Sequence, residues 1–149
     1  MTMKIFIFTA IFLTSIIFLI FASKGENMDQ IPGKVITEES IIEMFANIQS
    51  NTEWDMSTNM VWGYFFTHNE PKMLEKAAKV LKDQGYNIVD IYMSDKETEN
   101  DPDLFWLHIE KVEVHTPTSL DKRNNELYIF AHNFGLDSYD GMDVGPIQK

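Results

Sequence analysis

The sequence predicts an α+β domain of ferredoxin-like βαββαβ topology, with one additional helix in front of it and a hydrophobic anchor helix at the N-terminus. Two observations support this prediction. Segments with the apolar spacing of amphipathic helices alternate with aromatic or β-branched runs, in the order α, β, α, β, β, α, β. Two strand–helix–strand units joined by a hairpin form an antiparallel sheet with two helices on one face. The 149 residues leave room for one such domain.

The first segment, residues 5–22, contains no charged side chain. A helix of this length is roughly 27 Å long, close to the ~30 Å hydrocarbon core of a bilayer. The run is longer than the apolar core of a typical signal peptide, and the small-residue cleavage pattern is poorly met. We therefore interpret residues 1–23 as a transmembrane anchor or uncleaved signal segment, with a cleaved signal peptide as the alternative.

The orientation of this single-pass anchor depends on few charges. Lys4 and the terminal amine precede the apolar run, and Lys24 follows it. Because positive charge is retained in the cytoplasm, this bias favours an N-terminus inside and a domain outside.

Residues 24–36 contain Pro32-Gly33 and are interpreted as a linker to a domain at residues 37–149. Thr37 is the predicted N-cap of a helix to about Ser50. The other predicted elements are a strand at Met60–His68, a helix capped by Asn69 and ended by Gly85, strands at Tyr86–Met93 and Leu104–Thr116, a helix from Thr116-Pro117 to Gly135, and a strand at Ser138–Val144.

In the third strand, apolar residues fall on odd positions through Ile109 and on even positions from Val112, which predicts a bulge near Glu110-Lys111. The alternation directs one set of side chains towards the helices: Val89, Ile91, Met93, Phe105, Leu107 and Ile109. The opposite face then receives an aromatic set: Ile88, Tyr92, Trp106, His108, Trp62, Tyr64 and Phe66.

This aromatic face has two main interpretations. It is either a protein-binding surface or a surface covered by the additional helix, whose apolar stripe is Ile41, Met44, Phe45 and Ile48. Stacking of RNA bases on the rings is disfavoured, because the chain has 12 basic and 23 acidic residues and a net charge of −11.

Composition and motifs also argue against catalysis. The absence of cysteine excludes disulfides, thiol catalysis and thiolate zinc sites. The acidic run from Asp95 to Asp103 fails as a calcium loop, because Asn100 and Trp106 stand where an EF-hand needs glycine and glutamate. The four histidines form no i, i+4 pair, and no hydrolase or nucleotide-binding motif occurs. We expect no enzyme, cofactor, metal or small-molecule substrate.

From Met60 onward the chain resembles the regulator of ribonuclease E activity B (RraB) family. The resembling segments are VWGYFFTH at 61–68, LEKAAKVLKDQGY at 74–86, VHTPTSLDKRNNEL at 114–127 and AHNFGLDSYDGMDVGP at 131–146. In the last one, Tyr139, Asp140 and Gly141 match a closing Tyr-Asp-Gly-Trp signature of the family, with Met142 in place of the tryptophan.

The resemblance implies a ferredoxin-like fold without catalytic residues and, as for the best-known member of the family, binding to the scaffold region of ribonuclease E and inhibition of RNA decay. An acidic adaptor on a basic, disordered scaffold agrees with the charge of this chain. The candidate binding residues are Tyr139, Asp140 and Gly141 from the motif and Trp106, Tyr92 and His108 from the aromatic face. A structural role is the alternative for the motif, with Gly141 allowing a positive φ and Asp140 capping a turn. The alternative function is an envelope-facing binding or immunity-type protein with the same fold and another partner.

Overall fold

The computed structural model describes residues 30–148. Seven elements follow one another in the predicted order: α1 (Glu38–Asn51), β1 (Met60–His68), α2 (Pro71–Asp83), β2 (Asn87–Met93), β3 (Phe105–Glu113), α3 (Pro117–Phe134) and β4 (Ser138–Pro146). The predicted anchor at residues 5–22 lies outside the described residues. Within residues 30–148, none of the helices combines the length and hydropathy needed to cross a membrane.

Local signals set most helix ends. Thr37 and Thr116 each accept a hydrogen bond from the backbone N–H three residues later, in reciprocal capping boxes that open α1 and α3. Gly135 ends α3 with a φ of 76°. The predicted capping role of Asn69 is wrong, because Glu70 immediately precedes α2 and makes no side-chain cap. The Asn69 backbone N–H instead donates to Asp137 Oδ2 at 2.9 Å.

The four strands form one antiparallel sheet in the order β2-β3-β1-β4. β1 and β3 pair over their full lengths without a register shift, so the predicted bulge at Glu110-Lys111 is wrong. Val112 and Val114 are 53% and 48% exposed. They need no change of phase because the even positions of β3 face away from the helices. The irregularities lie instead in the outer strands, between Ile88 and Asp90 in β2 and opposite Phe65/Phe66 in β4.

The core lies between one face of the sheet and the three helices. Trp62, Tyr64 and Phe66 are fully buried there, so their predicted placement on the opposite face is wrong. The reason is that β1 is apolar or aromatic at almost every position and therefore carries no readable alternation.

β2 also departs from its predicted phase. Met93 keeps its predicted face, opposite Phe105, although it is 53% exposed. Val89 is 44% exposed, whereas Ile88 pairs with the buried Ile109 and packs against the core. The register shift at Val89 explains this exchange, because one additional residue in a strand moves the preceding side chain to the other face.

α1 packs into the same core through Ile41, Met44 and Ile48, and the ring of Phe45 stacks on Trp62 with centroids 6.0 Å apart. The interpretation in which this helix covers the opposite face is therefore wrong. We call the face of the sheet turned away from α1, α2 and α3 the open face.

The chain before α1 is attached to α3. The hydroxyl of Tyr128 accepts hydrogen bonds from the N–H groups of Val35 at 3.3 Å and Ile36 at 3.2 Å. Lys34 pairs with Asp121 at 2.9 Å. These contacts hold α1 on the helical side of the sheet and away from the open face.

Candidate functional site

The register of the strands defines which residues occupy the open face, because directly opposed residues of an antiparallel pair project to the same side. The pair Phe65 and His108 belongs to it, as do Trp106 with its partners Thr67 and Tyr92, and Asp90 opposite His108. Further residues on this face are Val61, Gly63, Glu110, Val112, Asp143 and Gly145.

Four rings cross the open face from β2 to β1. Tyr92 stacks on Trp106 with centroids 6.5 Å apart and planes 6° from parallel. Trp106 meets Phe65 edge-to-face at 6.4 Å, and Phe65 stacks on His108 at 4.4 Å. We call these four residues the aromatic strip. Tyr92 is 41% exposed, so the strip presents its β2 end to solvent.

Three of the four strip residues were predicted from the sequence: Tyr92, Trp106 and His108. Phe65 was missed. The aromatic run of β1 shows that several rings are present, but only the pairing with β3 shows which of them face outward.

Among the Asp, Glu, Lys and Arg residues, only acidic ones occupy the strand positions of the open face. Its strand positions hold the carboxylates of Asp90, Glu110 and Asp143 and no lysine or arginine. Glu110 Oε1 lies 3.5 Å from His108 Nε2. The Asp143 carboxylate lies over Gly63, where an added Cβ would collide with it. The absence of a side chain at Gly63 is therefore what lets this carboxylate pack against β1.

Beside these carboxylates is a shallow pocket of about 180 Å³. It combines two acidic side chains with apolar and backbone walls, and is lined by Val61, Glu110, Asp143, Val144, Gly145, Pro146 and Gln148.

The structure separates the motif residues from one another. Tyr139 is 4% exposed and points into the core, where its hydroxyl donates to Asn124 Oδ1 at 2.6 Å. Asn124 Nδ2 in turn donates to Met142 Sδ at 3.6 Å. Met142 therefore stands in the core beside this buried pair, at the position of the family tryptophan.

Asp140 and Gly141 lie at the irregularity of β4. Phe65 pairs with Gly141 and Phe66 with Tyr139, which leaves Asp140 as the additional residue. Gly141 has a φ of 114°, in the region that favours glycine. Burial raises the pKa of the Asp140 carboxyl to about 6. Tyr139 therefore lies in the core, away from the aromatic strip. Gly141 lies beside the strip, because it pairs with Phe65.

A second polar cluster lies on the helical side and was not predicted. Arg123, the only arginine of the chain, binds both oxygens of Glu113, at 2.8 Å and 3.2 Å. Its Nη1 also donates to the hydroxyl of Tyr86 at 2.9 Å. Tyr64 and His115 complete the cluster: the Tyr64 hydroxyl lies 3.4 Å from Glu113 Oε1 and 3.3 Å from His115 Nε2.

The electrostatics of this cluster indicate a structural role. Burial lowers the pKa of His115, and burial together with the Glu113 charge raises that of Tyr64. Both groups are therefore neutral near pH 7, and the charges of Glu113 and Arg123 are satisfied within the cluster. It joins the end of β3 to α3. No sequence signal indicated it, since Tyr64 and Arg123 are far apart along the chain.

Within residues 30–148, no group of three His, Asp or Glu side chains is arranged to hold a metal ion.

The model of the family described as Regulator of ribonuclease activity B matches residues 38–144, from the first residue of α1 into β4. No curated protein matches the chain significantly. The match covers most of the chain and includes all three helices described above, so the chain belongs to the RraB family of regulators of ribonuclease activity.

Proposed function

We propose that this protein is a non-catalytic, membrane-tethered regulator that binds ribonuclease E and slows RNA decay. The observation that carries the proposal is the family match over residues 38–144, which spans nearly the whole described domain. The strand order β2-β3-β1-β4, with α1, α2 and α3 on one face, agrees with the ferredoxin-like arrangement that the resemblance implies. Residues 5–22 would provide the tether.

Charge supports a protein partner over nucleic acid. The chain has a net charge of −11, and its open face carries carboxylates without lysine or arginine at the strand positions. Such a surface repels phosphates and attracts a basic protein segment. The polar cluster around Arg123 satisfies its charges internally, so the proposal gives it no part in chemistry.

Copurification and RNA turnover test this function. The tagged full chain should retain ribonuclease E from cells, and overexpression should lengthen RNA half-lives. Ribonuclease E truncated after its catalytic region is the matched control, because the resemblance places binding in the scaffold region. Unchanged half-lives together with no retention of the full-length nuclease would overturn the proposal.

The second candidate, an envelope-facing binding or immunity-type protein, is favoured by one observation. Lys4 and the terminal amine flank the apolar segment on one side and Lys24 on the other, which favours a domain outside the cytoplasm. C-terminal reporters that are active only inside or only outside the cytoplasm distinguish the two. An inside signal supports regulation of a cytoplasmic nuclease, whereas an outside signal removes that function and favours the second candidate.

A further inference from the structure

We propose that the outward side of α2 contacts the anionic lipid headgroups of the membrane to which the chain is tethered. The existence of the tether rests on the proposed function. The choice of surface rests on three features of the described residues, which are the exposure of the α2 lysines, the distribution of charge over the molecule and the side on which the N-terminal segment joins the domain.

Four lysines lie on the part of α2 that is turned away from the sheet. The buried residues of this helix, which pack on the sheet, are Leu74, Ala77, Ala78 and Leu81. With 3.6 residues per turn, Lys72, Lys76 and Lys79 project from the opposite side, and Lys82 flanks them at the C-terminal end. All four are exposed, and none forms an ion pair within residues 30–148. We call these four residues the lysine surface.

The two acidic residues of α2 do not cancel this charge. Glu75 and Asp83 lie among the lysines, so four positive side chains outnumber two negative ones on the outward side. Lys111 adds a fifth cation at the C-terminal end of the helix, where its Nζ lies 3.5 Å from the carbonyl oxygen of Gln84. The outward side of α2 is therefore positive, although the chain as a whole has a net charge of −11.

Other parts of the domain carry the opposite charge. The β2–β3 connection contains five acidic residues, Asp95, Glu97, Glu99, Asp101 and Asp103. Its one lysine, Lys96, is paired with Asp103 at 2.6 Å. The strand positions of the open face hold carboxylates and no lysine or arginine. An anionic bilayer attracts the lysine surface and repels these acidic regions, and both forces turn the helical side of the domain towards the lipid.

The N-terminal segment joins the domain on the same side. Lys34 pairs with Asp121 of α3, and the next two N–H groups donate to the Tyr128 hydroxyl. The apolar run ends at Ala22, 12 positions before Lys34, and an extended chain of that length spans at most about 40 Å. A domain of this size is itself about 35 Å across. The tether therefore holds the helical side near the bilayer, at a high effective concentration of headgroups.

A dye on each side of the sheet tests this orientation. Because the chain has no cysteine, Val80→Cys and Val112→Cys each allow specific labelling with an environment-sensitive fluorophore. Val80 lies on α2 and is 39% exposed, whereas Val112 lies on the open face and is 53% exposed. The labelled full chain is inserted into nanodiscs of phosphatidylcholine, with or without phosphatidylglycerol.

We expect the emission of the Val80→Cys dye to shift to shorter wavelength only in discs that contain phosphatidylglycerol. High salt should reverse the shift, because the contact is electrostatic. The Val112→Cys dye should not respond. No shift at position 80 in anionic discs, or equal shifts at both positions, would overturn the proposal.

Charge variants identify the lysines as the cause. Lys76→Gln/Lys79→Gln should abolish most of the shift while keeping good helix-forming residues. Lys96→Glu is the matched control, since it lowers the net charge by the same amount in the β2–β3 connection. Glu75→Gln should enlarge the shift, a gain that a damaged fold would not produce. Equal losses for Lys76→Gln/Lys79→Gln and Lys96→Glu would overturn the proposal, because only net charge would then matter.

Other occupants of the lysine surface would also overturn the proposal. An oligoribonucleotide that binds the full chain in neutral discs, and that Lys76→Gln/Lys79→Gln releases, would identify RNA. Concentration-dependent dimers in detergent that the same variant abolishes would identify the acidic connection of a second copy of the chain.

Insertion into neutral nanodiscs separates this inference from the proposed function. If neutral discs hold the chain and the Val80→Cys dye ignores phosphatidylglycerol, the surface is wrong although the tether stands. If neutral discs do not hold the chain, the tether is wrong. Binding to anionic discs that Lys76→Gln/Lys79→Gln abolishes then still supports the lysine surface, and failure to bind them overturns it. Retention of ribonuclease E tests the protein partner independently of both.

Discussion

The Arg123 cluster and the open face combine aromatic and charged side chains in opposite ways. In the cluster, a bidentate arginine–glutamate pair is surrounded by tyrosines and a histidine that are held neutral by burial. On the open face, three carboxylates accompany a strip of rings and the strand positions offer no lysine or arginine. Internal pairing of opposite charges stabilises the cluster, whereas the carboxylates of the open face lie beside rings of which only Tyr92 is largely exposed.

Removal of Arg123 should have the largest effect on stability. Arg123→Met leaves the mostly buried Glu113 carboxylate without its bidentate partner, which costs about 3 kcal/mol of unfolding free energy. Chemical denaturation measures this loss. The double variant Glu113→Gln/Arg123→Met should recover part of it. If the single and double variants are equally unstable, the ion pair is not the source of the loss.

Gly63→Ala should be the next most damaging change, and it tests the packing of the open face. The added Cβ collides with the Asp143 carboxylate and comes within 2.9 Å of His108 Nε2, so we expect about 2 kcal/mol of destabilisation. Asp143→Ala in the same background removes the collision and should restore part of the loss. Thermal unfolding of Gly63→Ala, Asp143→Ala and the double variant measures these effects. If the double variant is no more stable than Gly63→Ala, the collision with Asp143 is not the source of the loss.

The pH dependence of stability should reveal Asp140. Its pKa is raised from 3.8 to about 6 by burial, so the folded state binds a proton more tightly than the unfolded state does. The stabilisation this provides is complete below about pH 4 and is lost as the pH rises through 6. Compared with Asp140→Asn, the unchanged protein should therefore lose unfolding free energy between pH 4 and pH 6. Parallel curves for the two proteins would show that Asp140 titrates normally.

Truncation of Tyr92 should have the smallest effect on stability. The side chain is 41% exposed, so Tyr92→Ala should lower the unfolding free energy by less than about 1 kcal/mol. A large drop in melting temperature would instead place Tyr92 among the stabilising residues. The contrast between Arg123 and the open face would then disappear.

The features of the fold that could be predicted are those that depend on residues close together in the sequence. The order of all seven elements follows from the local periodicity of apolar residues. The caps at Thr37 and Thr116 and the glycine stop at Gly135 follow from contacts within one helical turn. The phase of β1 could not be predicted, because Trp62, Phe65 and Phe66 are equally apolar and only their partners in β3 assign a face to each.

The candidate site was predicted only in part, because strand pairing also decides which of its residues lie together. Tyr92, Trp106 and His108 were selected from the alternation in β2 and β3, and the structure places them together. Tyr139 was selected from the family motif, and the structure places it in the core against Asn124. A motif records which residues occur together in the chain, but it does not record which side of the sheet each side chain faces.

The sequence by itself determined the order of the elements, most of the helix ends and the acidic character of this protein, since each depends on composition or on local periodicity. Only the tertiary structure decided which rings are buried, where α1 packs and how Arg123 is paired. Those outcomes depend on strand register and on contacts such as the one between Tyr64 and Glu113, whose residues are 49 positions apart. Such pairings form when the whole core closes, and no local pattern encodes them.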